Sequence, residues 1–120
     1  MITFKISTGE IFADATVIGR GYAGNGAGLN NPDACDQKMV GPLPCGLYEI
    51  LSAVDKPESV GAFALPLAPD PSNEMFGRGS FYIHGDNPAM NETASDGCIV
   101  TSRDVREMIA LQHTQLTVIA

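Results

Sequence analysis

His84 and Cys98 stand fourteen positions apart in "FYIHGDNPAMNETASDGCIV", and of all the residues here they are best suited to covalent chemistry. A thiol becomes a strong nucleophile only as thiolate, and at an unperturbed pKa of about 8.5 it is mostly protonated at neutral pH. An imidazole within reach can take that proton. Gly97 precedes the cysteine, so the backbone can turn sharply there with its amides uncovered by side chain, which suits an oxyanion hole. His84 closes the apolar run "FYIH", and a rigid strand end aims a side chain better than a loop tip. Two plainer readings compete. Cysteine is among the most buried residue types and commonly serves as a small hydrophobe. A zinc site would need a third ligand at characteristic spacing, and there is no C-x-x-C.

The elements that must hold this pair read as short strands. The 120 residues include 13 glycines and 8 prolines, a density that favours many strands and turns over a helix bundle. "ITFKIS" alternates Ile2, Phe4 and Ile6 against polar residues, and "EIFADATVIG" reads as a second strand closing a hairpin with it. The stretch "GRGYAGNGAGLNNPDACDQ" is a long loop of the kind that is usually functional or mobile. "LYEILSAV", "AFALPLAPD", "SFYIHG" and "TQLTVIA" are expected as strands, and "CIVT" as the start of another.

"TSRDVREMIALQ" is the one credible helix. Thr101 or Ser102 can cap it, Asp104 complements its first turn, and Val105, Met108 and Ile109 form an apolar stripe. His113 is expected at the surface near the helix end. The expectation is one domain over residues 1–120, mainly β and mostly antiparallel, with a single short helix.

Composition excludes several classes. Hydrophobic residues are 44% and charged residues 18%, which fits a globular chain and not a disordered one. With a net charge of −7 and no clustered cationic face, nucleic acid is not an expected partner. No apolar stretch approaches the roughly 18 residues of a membrane span, so no membrane insertion is expected. The N-terminus lacks the charged start and apolar run of a signal peptide, so the protein is expected to be made in the cytoplasm and carried elsewhere by other machinery. Three cysteines leave at least one thiol unpaired in a monomer. Cys35 and Cys45 either pair in an oxidising compartment or stay reduced, the latter being favoured without an export signal.

The local wording around the pair goes further. His84-Gly85, a spacer, and then Ser95-Asp-Gly97-Cys98-Ile99 resembles the signature of the L,D-transpeptidase (YkuD-like) catalytic domain. "GRGYAGNGAGLNNPD", "GPLPCGLYEI" and "FGRGSFYIHGD" follow in the order seen in the compact branch that includes type VI secretion peptidoglycan effectors. The resemblance covers roughly residues 3–105. Two positions depart from the wider family. Asp96 stands where a histidine is usual, and an acid beside the nucleophile disfavours thiolate. Val100 stands where an arginine or asparagine is often found, which leaves recognition of a substrate carboxylate to other residues, Arg78 and Arg103 being candidates.

The resemblance implies an L,D-transpeptidase-like β-sandwich or barrel acting on peptidoglycan stem peptides without metal or organic cofactor. Cys98 would form a thioester with the third stem residue, His84 would act as general base, and amides around Gly97 would hold the oxyanion. Ser95 would support the site; Gly85, Arg78 and Tyr22 would line the substrate groove. An amine acceptor gives transpeptidation or exchange, and water gives carboxypeptidase activity. The branch implies an antibacterial effector acting in the periplasm of a target cell, with an immunity protein as partner; release by phage lysis is the other route. The competing class is a catalytically silent wall-binding or phage structural module of the same fold, favoured by Asp96 and Val100 and opposed by the presence of both His84 and Cys98.

Overall fold

A computed structural model describes residues 1–56, 59–87, 95–112 and 114–120; His113 and positions 88–94 of the His–Cys segment lie outside the described residues. Among the described residues the strands are β1 (Ile2–Lys5), β2 (Glu10–Ala13), β3 (Thr16–Arg20), β4 (Tyr22–Ala23), β5 (Gly46–Ile50), β6 (Val54–Lys56), β7 (Gly61–Pro69), β8 (Phe81–His84), β9 (Ile99–Val100) and β10 (Gln115–Ile119), with one α-helix, α1 (Arg103–Gln112), before the last strand. They form a nearly closed, barrel-like sheet in the order β3-β2-β1-β10-β5-β7-β8-β9-β4, with β6 added on β7. The mainly β expectation holds.

Most pairings are antiparallel, but two are parallel: β1 with β10 and β8 with β9. The inward residues of β1 are Ile2 and Phe4, and those of β10 are Leu116 and Val118, all buried. They meet Ile11, Tyr48, Leu65, Ile83, Ile99 and Ile109 in one core. Tyr48 is buried with its hydroxyl satisfied, donating to the Pro44 carbonyl at 2.6 Å.

Three sequence expectations need correction. "EIFADATVIG" is two strands, because Asp14 takes a left-handed φ of 54° and folds β2 back on β3. "LYEILSAV" likewise breaks after Ile50 and resumes as β6 at Val54. On α1, Val105 and Ile109 are buried as expected, whereas Met108 is 46% exposed and Arg106, at 6%, is buried instead. The helix packs on β7 and β8, and this contact turns the 105–109 side inward. Ser102 caps its start, Oγ accepting the Val105 N–H at 3.4 Å.

This register of α1 predicts a sharp contrast between neighbouring residues. Ile109→Ala should lower stability by about 2–5 kcal/mol, and Met108→Ala should change it by less than about 0.5 kcal/mol. Chemical denaturation of the two variants reads the difference directly.

Candidate active site

The His–Cys segment is a crossover, because β8 and β9 run parallel. Ile83 pairs with Ile99 and His84 with Val100, and the Thr101 N–H continues the seam to the His84 carbonyl at 3.0 Å. Cys98 precedes β9 by one residue. Its Sγ, in place of a carbonyl, accepts the Tyr82 N–H at 3.4 Å. The thiol therefore lies at the mouth of the seam, against the residue two positions before His84, and those two β8 residues share a face about 6–7 Å apart. The chain thus folds back over a separation of fourteen to set Cys98 Sγ against the backbone of the strand that His84 ends.

His84 is buried, and its Nδ1 lies 2.8 Å from the Gly85 carbonyl. A carbonyl only accepts, so this contact requires Nδ1–H and leaves Nε2 as the basic nitrogen. Burial pushes the imidazole pKa down, and the nearby Arg106 charge adds to that; the Gly85 bond and Asp86 oppose it. Cys98 moves the other way. Burial pushes its thiol above the ordinary range and the Asp96 charge adds, against a lowering by the Tyr82 N–H and by Arg78. At neutral pH the resting pair is thus a thiol and a neutral imidazole.

Ser95 organises the turn into Cys98. Fully buried, its hydroxyl accepts the N–H of Gly24 at 2.9 Å and of Gly97 at 3.0 Å, and donates to the Cys98 carbonyl at 2.6 Å. A hydroxyl has one donor and two acceptor sites, so Ser95 is saturated. The Gly97 N–H is therefore already engaged in this arrangement. Gly97 itself has a φ of 137°, and a Cβ there would lie 2.6 Å from Arg78 Nη2 and 2.8 Å from Phe81 Cε1; both conformation and space demand glycine.

Arg78 packs beneath this turn. Its Nη1 donates to the carbonyls of Cys35 at 2.6 Å and Pro42 at 2.7 Å, and its Nη2 to those of Gly41 at 2.9 Å and Asp96 at 3.3 Å. The guanidinium also stacks on Phe81, 5.1 Å from the ring centroid. It thus holds the 95–98 turn to the 35–42 loop, and it also lines a cavity of about 210 Å³ with Lys38, Met39 and Asp96. From the other side Asn25 Nδ2 donates to the carbonyls of Ser95 and Met39, each at 2.8 Å. The Gly/Asn-rich loop, with its 3-10 turns Gly26–Gly28 and Pro32–Ala34, buttresses the turn that leads into Cys98.

Tyr22, on β4, pairs with Val100 across the sheet, and its hydroxyl donates to Asp86 Oδ1 at 2.8 Å. Gly85 runs close to Arg106, whose Nη1 would lie 3.0 Å from an added Cβ. Arg106 is the residue that sequence reasoning missed. Its signal was an arginine at helical spacing three before Ile109, inside the apolar stripe. Cys35 and Cys45 both carry thiols here, and burial pushes Cys35 up to about 11.

Comparison with known proteins agrees with the residue pattern. The family model for the Tlde1 domain matches residues 18–119. The chain belongs to that family, which groups type VI secretion L,D-transpeptidase effectors. Among solved structures it is similar to an L,D-transpeptidase from Mycobacterium smegmatis, at 15% identity and a TM-score of 0.49 over 99% of this chain. The chain spans 58% of that structure's length. No curated protein matches.

Two outcomes test the site geometry. Ser95→Ala strands two buried N–H groups and a carbonyl, and should cost about 2–4 kcal/mol in urea denaturation. In a Cys35→Ser/Cys45→Ser background, iodoacetamide alkylation of Cys98 should be slow at neutral pH and still rising past about pH 9, since thiolate forms late.

Proposed function

We propose that the protein is a peptidoglycan L,D-transpeptidase and L,D-carboxypeptidase with Cys98 as nucleophile and His84 as general base. Family membership supports a transpeptidase-like effector; the observation that carries the mechanism is the parallel β8–β9 seam, with the thiol at its mouth and an imidazole two residues along whose Nδ1 is held by a carbonyl. Cys98 Sγ attacks the carbonyl carbon linking the third stem residue to the terminal D-amino acid, as its proton passes to His84 Nε2. The C–N bond breaks, His84 returns the proton to the leaving amine, and a thioester remains. An amine or water then attacks the thioester through the same base, and the thiol regains its proton.

Because the resting pair is neutral, proton removal accompanies attack and no preformed ion pair is needed. The oxyanion is assigned to the Cys98 amide, with Gly97 supplying the turn that aims it. Ser95, Asn25 and Arg78 act by holding that turn. The reading extends to an antibacterial effector that meets its substrate in the periplasm of a target cell, with an immunity protein as its partner.

Purified wild type and Cys98→Ala, incubated with disaccharide-tetrapeptide and followed by mass spectrometry, decide the matter. Loss or exchange of the terminal D-alanine by wild type alone is expected; retention by both, on folded protein, would turn the reading to a silent wall-binding module. His84→Ala should lower kcat by about 10²–10⁴-fold. The pH profile follows from the two displacements. Activity needs neutral His84, whose depressed pKa keeps the acid limb of kcat/KM below about pH 6.5, while the raised thiol extends the plateau above about pH 8.5.

A further inference from the structure

Two of the three cysteines have no part in the chemistry assigned to Cys98, yet they meet one another. Cys35 is buried and Cys45 is exposed. The Cys35 thiol donates to the Leu43 carbonyl at 3.6 Å, two residues before Cys45. It also interacts directly with the Cys45 thiol and with the Cys45 backbone N–H. The loop between them doubles back on itself. The Gln37 N–H donates to the Ala34 carbonyl and the Gly41 N–H to the Gln37 carbonyl, each at 2.9 Å. Gly41 then passes so close to the Ala34 carbonyl that a Cβ would collide with it. The approach of the two thiols is therefore built into the backbone.

This loop supports the 95–98 turn. The Leu43 N–H donates to the Gly97 carbonyl at 2.9 Å. Arg78 joins the carbonyls of Cys35, Gly41 and Pro42 to that of Asp96. Beside Cys45, the Tyr48 hydroxyl fixes the Pro44 carbonyl at 2.6 Å. The two cysteines thus stand at the ends of a strap whose middle carries the turn into Cys98. With both thiols reduced, only non-covalent contacts close it.

We propose that Cys35 and Cys45 form a redox site that closes this strap as a disulfide when the protein meets a disulfide oxidant, oxidised glutathione being the simplest. Cys45, the exposed partner, is where exchange begins. It loses its proton to solvent, and its thiolate attacks one sulfur of the oxidant. The oxidant's S–S bond breaks, and one thiolate leaves and takes a proton. Cys35 Sγ then loses its proton and attacks Cys45 Sγ, expelling the second thiol. The protein gives up two electrons as its thiols become a disulfide, and the oxidant is reduced to two thiols. Burial pushes the Cys35 thiol up to about 11, so its thiolate is scarce and closure is the slow step. The inference is independent of the reaction assigned to Cys98. A cytoplasm keeps such thiols reduced and a periplasm oxidises them. On the delivery route proposed above, the strap closes only on arrival.

Wild type equilibrated with reduced or with oxidised glutathione, then alkylated and cut with trypsin without reductant, tests the pairing. Trypsin cleaves after Lys38, so the Cys35 and Cys45 peptides stay joined only through a bridge; Cys98 lies on another peptide, beyond Arg78. The oxidised sample is expected to give the joined peptide with Cys98 still alkylated, and dithiothreitol should separate it. Closing the 35–45 loop should raise Tm by about 5–15 °C over the reduced protein. It should also slow hydrogen exchange at the Leu43 amide by about tenfold. Cys35→Ser and Cys45→Ser should each abolish the rise, while the wild-type comparison needs neither variant to fold. Three free thiols after oxidation, glutathione held on Cys45 alone, or a bridge to Cys98 would overturn the pairing. A Cys35–Cys45 bridge that leaves Tm and Leu43 exchange unchanged would overturn the strap.

Discussion

The parallel pairing of β8 with β9 is the constraint on which the site depends. Antiparallel strands can be joined by a two-residue turn, but parallel strands need a long crossover. The fourteen-residue interval between His84 and Cys98 includes that crossover, so its length follows from topology before any chemistry is considered. The same pairing sets Cys98 where β9 begins, next to Tyr82, and His84 where β8 ends. Shifting the register by one residue would turn Ile83 toward the site and His84 into the core, because side chains alternate faces.

Around that seam the protein spends buried polar groups on holding backbone, not on meeting one another. Ser95 ties Gly24, Gly97 and Cys98 through one hydroxyl. Arg78 gathers carbonyls from the 35–42 loop and from Asp96, and Arg106 gathers those of β7 and of Thr101. No buried side-chain nitrogen or oxygen among the described residues lacks a partner, as expected where an unmet group costs about 1–3 kcal/mol. Both guanidiniums keep their charge in a half-dry setting beside the thiol and the imidazole. Each therefore influences titration: Arg78 favours the Cys98 thiolate, and Arg106 disfavours the His84 imidazolium.

Burial opposes charge on both members of the pair, and this changes how Asp96 is understood. An acid next to Cys98 would oppose a resting thiolate–imidazolium pair. In a pair that rests neutral it only reinforces a state already set by desolvation.

Much was legible in the chain itself. Alternation in "ITFKIS" and "TQLTVIA" and the capping pattern of "TSRDVREMIALQ" are local signals, and each named its element correctly; the His-Gly and Ser-x-Gly-Cys wording pointed to the family. The hairpin break at Asp14 escaped because a left-handed φ at a non-glycine residue carries no strong sequence mark. Met108 and Arg106 exchanged places because a helical stripe defines a face only to within one residue, and packing on β7 and β8 chose which edge turned inward. Local composition thus determined the strands, the helix and the reactive residue types. Tertiary structure alone decided that β8 and β9 run parallel, that Ser95 and Arg78 grip the turn, and that Arg106 lies buried beside His84. Those relations join residues dozens of positions apart, and only the closing of the sheet brings them together.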